Sequence, residues 1–176
     1  NLFKEKNNPT TVKTRYSVKG HQLLRVDEEE AREVSNLAYQ FILKTFKKEL
    51  PKHNVVILSD YNKGIFNQKL TKELIDLSNK YKIPIIVDPK NKDFAIYKNA
   101  FLITPNKLEA NLVTNLPCNN NKEAEICAKS IIDRYDIKNV LITRGSKGLS
   151  YIGKKQTIHK STKEIEVFDV SGAGDT

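Results

Sequence analysis

The chain has 176 residues, 39% of them hydrophobic, which is enough for one domain with a sizeable core and excludes a disordered segment. Its 30 Lys and Arg against 21 Asp and Glu give a net charge of +9, but the lysines are spread along the whole length without interleaved aromatics. They read as a solvated surface, so neither nucleic acid nor a membrane is an expected partner. Cys118 and Cys127 form no CxxC pair, and neither they nor His21, His53 and His159 have zinc-site spacing. The apolar runs Val55 to Leu58 and Ile83 to Val87 are far too short to cross a bilayer, and no secretory pattern opens the chain, so a reducing cytoplasm is the expected setting.

Thr10 to Val26 alternate loosely between apolar and polar residues around Lys19-Gly20, which predicts a β-hairpin. From Asp27 to Leu50, Val34, Leu37, Ala38, Phe41, Ile42 and Phe46 fall on one face of a predicted helix, with acids first and lysines last. Short β-branched runs then alternate with helical stretches. Strands are expected at Asn54 to Ser59, Ile83 to Asp88, Phe101 to Thr104 and Asn139 to Thr143, and helices at Gln68 to Tyr81, Lys107 to Val113 and Lys122 to Tyr135. This alternation predicts an α/β fold with a largely parallel central sheet and helices on both faces. Beyond Arg144, the strands Leu149 to Ile152, Gln156 to His159 and Ile165 to Phe168 read as antiparallel.

Ligands in open α/β sheets bind beyond the carboxyl ends of the strands, and polar groups follow most of these strands. They are Ser59 to Gly64, Asp88-Pro89-Lys90, Thr104 to Glu109 and Thr143-Arg144-Gly145, with a Gly-rich turn, Ser171 to Thr176, closing the series. Gly172, Ala173 and Gly174 allow a close backbone approach to an anion, and a carboxylate at Asp175 would lie beside a phosphate, able to take a proton from an attacking hydroxyl. The plainer alternative is a helix N-terminus capped by Ser171 or Asp175. The spacing fits neither a P-loop nor a Rossmann fingerprint.

Asp169 to Thr176, DVSGAGDT, resembles the C-terminal signature of the ribokinase-like (PfkB) family of carbohydrate kinases. The resemblance implies Asp175 as catalytic base and Gly172, Ala173 and Gly174 as an anion hole. Asn106-Lys107-Leu108-Glu109 is similar to the family's NxxE motif, which implies that Asn106 and Glu109 act on Mg²⁺ and phosphate, largely through water. A surface pair is the alternative. Thr143, Arg144, Gly145 and Gly148 resemble its T-x-G-x-x-G nucleotide loop, against a simple turn, and with Asn106 they are the implied ATP-binding residues.

Within the family, Lys13-Thr14-Arg15, Gln22 to Asp27, Leu58 to Gly64 and Val87 to Lys90 look like the heptose 7-phosphate kinases of ADP-heptose synthesis, an early part of lipopolysaccharide core assembly. That resemblance implies phosphoryl transfer from ATP to O1 of D-glycero-D-manno-heptose 7-phosphate. Lys13, Arg15, Asp60, Lys63 and Lys90 are the implied substrate-binding residues, the cations holding the sugar phosphate unless they are solvated or paired with carboxylates such as Asp60 or Asp88. Other expectations stay open beside it: a ribose or fructose kinase, a non-catalytic ligand-binding relative, and a homodimer formed through the lid-like N-terminal hairpin. The 176 residues correspond to the central part of one kinase domain, so the isolated piece is expected to be catalytically weak.

Overall fold

The structure, a computed structural model, describes residues 2–5, 10–18 and 21–162. The Lys19-Gly20 turn, the expected strand Ile165 to Phe168, and the Ser171 to Thr176 turn with Gly172, Ala173, Gly174 and Asp175 lie outside the described residues. The described residues form two sheets. β1 (Val12–Val18) and β2 (His21–Glu28) form the antiparallel hairpin, and β3 (Val56–Ser59), β4 (Ile85–Asp88), β5 (Leu102–Ile103), β6 (Asn139–Thr143), β7 (Leu149–Gly153) and β8 (Thr157–Lys160) form the central sheet in that order. β3 to β6 are parallel, and β7 and β8 return antiparallel, so the α/β sheet is mixed.

The helices are α1 (Asn36–Glu49), α2 (Gln68–Lys80), α3 (Lys107–Thr114) and α4 (Asn121–Tyr135). Each begins where a short polar side chain caps a free amide: Ser35, Asn67, Asn106 and Asn120 accept from the backbone three residues on. α1 corrects the sequence expectation. Asp27 and Glu28 pair with Lys13 and Val12 in the hairpin ladder, so the acidic run belongs to β2 and the segment after it, and the helix starts only at Asn36. Its inward face carries Ala38, Tyr39, Ile42, Leu43 and Phe46, while Leu37 points outward, 77% exposed.

One face of the central sheet is sealed. Leu58, Ile85, Val87, Ile103, Val140, Ile142 and Ile152 are buried there, with Leu70, Leu74 and Ile75 of α2, Cys127, Ala128 and Ile131 of α4, and Phe94 and Tyr97 of a 3-10 turn in the same cluster. Strands laid down consecutively with right-handed crossovers bring these helices to the same side. Each such large side chain contributes about 1.5–3 kcal/mol of transfer free energy. The alternate residues Ile86, Leu102, Leu141 and Tyr151 stay half-buried, and Ile57 is 65% exposed. No described helix is long and apolar enough to cross a membrane.

Candidate active site at the strand ends

The backbone gathers the polar strand-end segments along one edge. Ser59 is in register with Asp88, and the Asp60 amide donates to the Asp88 carbonyl at 3.0 Å. The Thr104 amide donates to the Val87 carbonyl at 2.9 Å, Asn106 forms a parallel bridge with Thr143, and the Thr143 amide donates to the Pro105 carbonyl at 3.1 Å. The four groups therefore adjoin one another at the carboxyl ends of β3 to β6, where this sheet type binds its ligands.

Asn106 and Glu109 form a reciprocal capping box on α3. The Glu109 amide donates to Asn106 Oδ1 at 2.9 Å, and the Asn106 amide donates to Glu109 Oε2 at 2.8 Å. The other carboxylate oxygen, Oε1, takes the Lys90 ammonium, and this bond raises the Lys90 pKa above its ordinary value. The two oxygen donors suit a hard cation such as Mg²⁺, and because the capping bonds and Lys90 engage them, the fit is through water. Among the described residues no cluster of three or more His, Cys, Asp and Glu side chains could hold a metal directly.

The Thr143 to Gly148 loop is a tight turn. The Arg144 amide donates to the Gly148 carbonyl at 2.8 Å and the Gly148 amide donates to the Gly145 carbonyl at 2.9 Å. Gly148 has φ +87, and a Cβ there would overlap the Lys160 carbonyl, so only glycine fits. Gly145, at φ +60, faces open space. The Arg144 side chain is 7% exposed and donates from Nη2 to Asn121 Oδ1 at 2.7 Å, tying the loop to the first turn of α4, while its buried Nε has no partner. The guanidinium is turned away from solvent, whereas Thr143, Gly145, Ser146 and Lys147 are exposed.

The implied substrate residues divide into two groups. Asp60 is 3% exposed, with Oδ2 accepting from the Tyr97 hydroxyl and Oδ1 from the Asn62 amide at 2.6 Å. Lys63 pairs with Glu29, at the end of the hairpin's second leg. On the hairpin itself Lys13 lies opposite Asp27 and Arg15 lies opposite Arg25, all four on one face. Lys13 is 4.0 Å and Arg25 is 2.9 Å from Asp27 Oδ2, while Arg15 has no ion pair among the described residues. The lysines thus do pair with carboxylates, Lys13 with Asp27, Lys63 with Glu29 and Lys90 with Glu109, and the charge of Asp88 also acts on Lys90. Arg25 joins the candidates only through strand register, because a bulge leaves Leu23 outside the ladder and sets Arg25 across from Arg15. Tyr97 had no sequence signal beyond being an apolar-looking residue in a short FAIY run.

A family model for the pfkB family of carbohydrate kinases matches residues 2–176. Among curated proteins, the bifunctional protein HldE of Hyphomonas neptunium is 36% identical over 176 residues, covering 99% of this chain and 36% of that protein. The HldE of Marinomonas sp. is 41% identical over 169 residues, covering 96% and 35%. The chain thus spans little more than a third of the curated relatives it matches. Among solved structures, phosphofructokinase-2 from Escherichia coli in complex with fructose-6-phosphate superposes with a TM-score of 0.68 at 17% identity, over 94% of this chain and 54% of that one. Arabidopsis thaliana ribokinase complexed with ribose and ATP gives a TM-score of 0.66 at 18% identity, over 96% and 54%. Those likenesses establish the ribokinase-like fold, with its mixed sheet and two-stranded hairpin. With the family model covering nearly its whole length, the chain belongs to the pfkB family of carbohydrate kinases.

Proposed function

We propose that this chain is the central part of an ATP-dependent sugar kinase that phosphorylates O1 of D-glycero-D-manno-heptose 7-phosphate in ADP-heptose synthesis, in the cytoplasm. The observation that carries the acceptor assignment is the charged hairpin face, where Lys13 and Arg25 share the carboxylate of Asp27, and Arg15, opposite Arg25, has no ion pair among the described residues. Like charges directly opposite one another, as Arg15 and Arg25 are, destabilise a ladder unless an anion lies between them. A phosphate already on the sugar supplies that anion, and two guanidiniums suit its geometry. Similarity to HldE proteins supports the same reading.

In the transfer step Asp175 takes the proton of the acceptor hydroxyl as its oxygen attacks the γ-phosphorus, and the bond to the bridging oxygen of ADP breaks. The backbone N–H groups of Gly172, Ala173 and Gly174 stabilise the charge that develops. Thr143 and Gly145, both exposed, contact the nucleotide, with Gly148 closing their turn and Arg144 holding it in place. Asn106 and Glu109 would hold Mg²⁺ through water, and the ion would supply charge neutralisation at the phosphates. Lys63 and Lys90 lie at the same edge and complete the cationic surroundings of the acceptor.

The hairpin's other face carries Val12, Tyr16, Leu24 and Val26, all exposed. A second copy of the protein covering it would make a homodimer, and an apolar sheet face of this kind calls for such a cover.

Turnover of the complete protein with heptose 7-phosphate, ribose and fructose tests the assignment. Activity confined to the phosphorylated heptose is expected, whereas turnover of ribose or fructose alone would refute the acceptor and leave the kinase. Asp175→Asn should lower kcat by about 10²–10⁴-fold while ATP still binds.

A further inference from the structure

Asp60 is the only carboxylate among the buried described residues, and nothing about packing alone calls for it. A buried charge is expensive to desolvate, and apolar groups of the same shape often stabilise a core as well or better. What the polar pair supplies is direction. Fully buried Tyr97 sits at the end of the 3-10 turn Phe94–Tyr97, donates its hydroxyl to Asp60 Oδ2, and accepts from the Asn91 amide at 3.4 Å. Asp60 in turn accepts the Asn62 amide on Oδ1, bending the chain so that Asn62 reaches φ +54.

The same loop is gripped from its other side. Gly64, at φ +89, lies so close to the Arg32 carbonyl that any Cβ would overlap it, and its own carbonyl accepts from the Val34 amide at 3.2 Å. Lys63, between these two grips, pairs with Glu29. The Asp60 to Gly64 loop therefore joins the sheet core to the segment that leads from the hairpin into α1.

We infer that Tyr97 is a positioning residue: through Asp60 it fixes the loop that carries Lys63 and seats the hairpin, and so sets acceptor affinity without touching either ligand. This rests on the proposed kinase reading only for its catalytic readout.

The complete protein and its Tyr97→Phe, Asp60→Asn and double variants test it in two ways. Hydrogen exchange comes first. Tyr97→Phe should speed exchange of the Asn62 and Val34 amides about tenfold while α2 and α4 amides keep their rates. In steady-state kinetics, the acceptor KM should rise about tenfold with kcat and the ATP KM within about twofold, and the double variant should be no worse than Tyr97→Phe. Unchanged exchange in the loop overturns the inference, as does a parallel rise in both KM values with faster exchange throughout, which would mark a merely structural tyrosine. If no sugar is turned over, the kinase reading fails on its own, and the exchange pattern still decides the role of Tyr97.

Discussion

Leu74 on α2, 2% exposed, and Leu24 on the hairpin, 54% exposed, are the same side chain in opposite circumstances. Under the central sheet each apolar strand residue has a helix against it, and the polar groups at the strand ends are held by bonds to other elements. The hairpin has its ladder, two contacts to Asp27 and the Glu29–Lys63 pair, with an apolar face open to solvent. Two strands alone are marginal in water. The element proposed to grip the acceptor is therefore the least self-sufficient part of the described chain, and its geometry is borrowed from the Asp60 to Gly64 loop on which it rests.

The largest test of this contrast is Leu74→Ala, which should cost about 2–5 kcal/mol in urea unfolding. Gly64→Ala comes next. Its Cβ meets backbone rather than a movable side chain, so about 1–3 kcal/mol should be lost, with faster exchange at Val34 marking release of the hairpin segment. A Gly64→Ala variant as stable as the parent would break the account of the loop as a seat.

Alkaline pH probes the core side of the same loop. Burial, reinforced by the bond to Asp60, pushes the Tyr97 ionisation well above its usual value. In the unfolded chain tyrosine ionises near pH ~10, so the contribution of Tyr97 to stability should be constant below that point and fall as pH climbs beyond it. Lys90, whose pKa is raised by Glu109, adds to the same limb because its ion pair is present below its unfolded pKa and lost above, but its side chain is 43% exposed and its share is small. Tyr97→Phe should flatten the alkaline fall. The smallest effect belongs to Leu24→Ala, within about 0.5 kcal/mol for the monomer, with any larger loss appearing only as weakened self-association in sedimentation.

Local patterns made much of this molecule readable in advance. Apolar periodicity located α2, α3 and α4 within a residue or so, and Gly148 stood out in a motif whose backbone conformation only glycine can take. Asn106 and Glu109 were readable as a pair because their interaction spans three residues. The start of α1 was not, since the acids at 27 and 28 are claimed by a ladder whose partners lie on another strand. Arg25 required the register across a bulge, and the partners of Lys63 and Lys90 required the fold to bring together residues 34 and 19 positions apart. Asp60 was readable as a polar residue following a strand, while its partner Tyr97, 37 positions on, required the three-dimensional structure.

The central claim is that the hairpin's cationic face reads a phosphate on the acceptor. Its most direct test is the ratio of kcat/KM for heptose 7-phosphate to that for the unphosphorylated heptose, compared between the complete protein and its Arg15→Gln variant. The account predicts a ratio that falls by about tenfold or more, carried by the phosphorylated substrate alone. A ratio unchanged by Arg15→Gln, or an equal loss for both sugars, would contradict it.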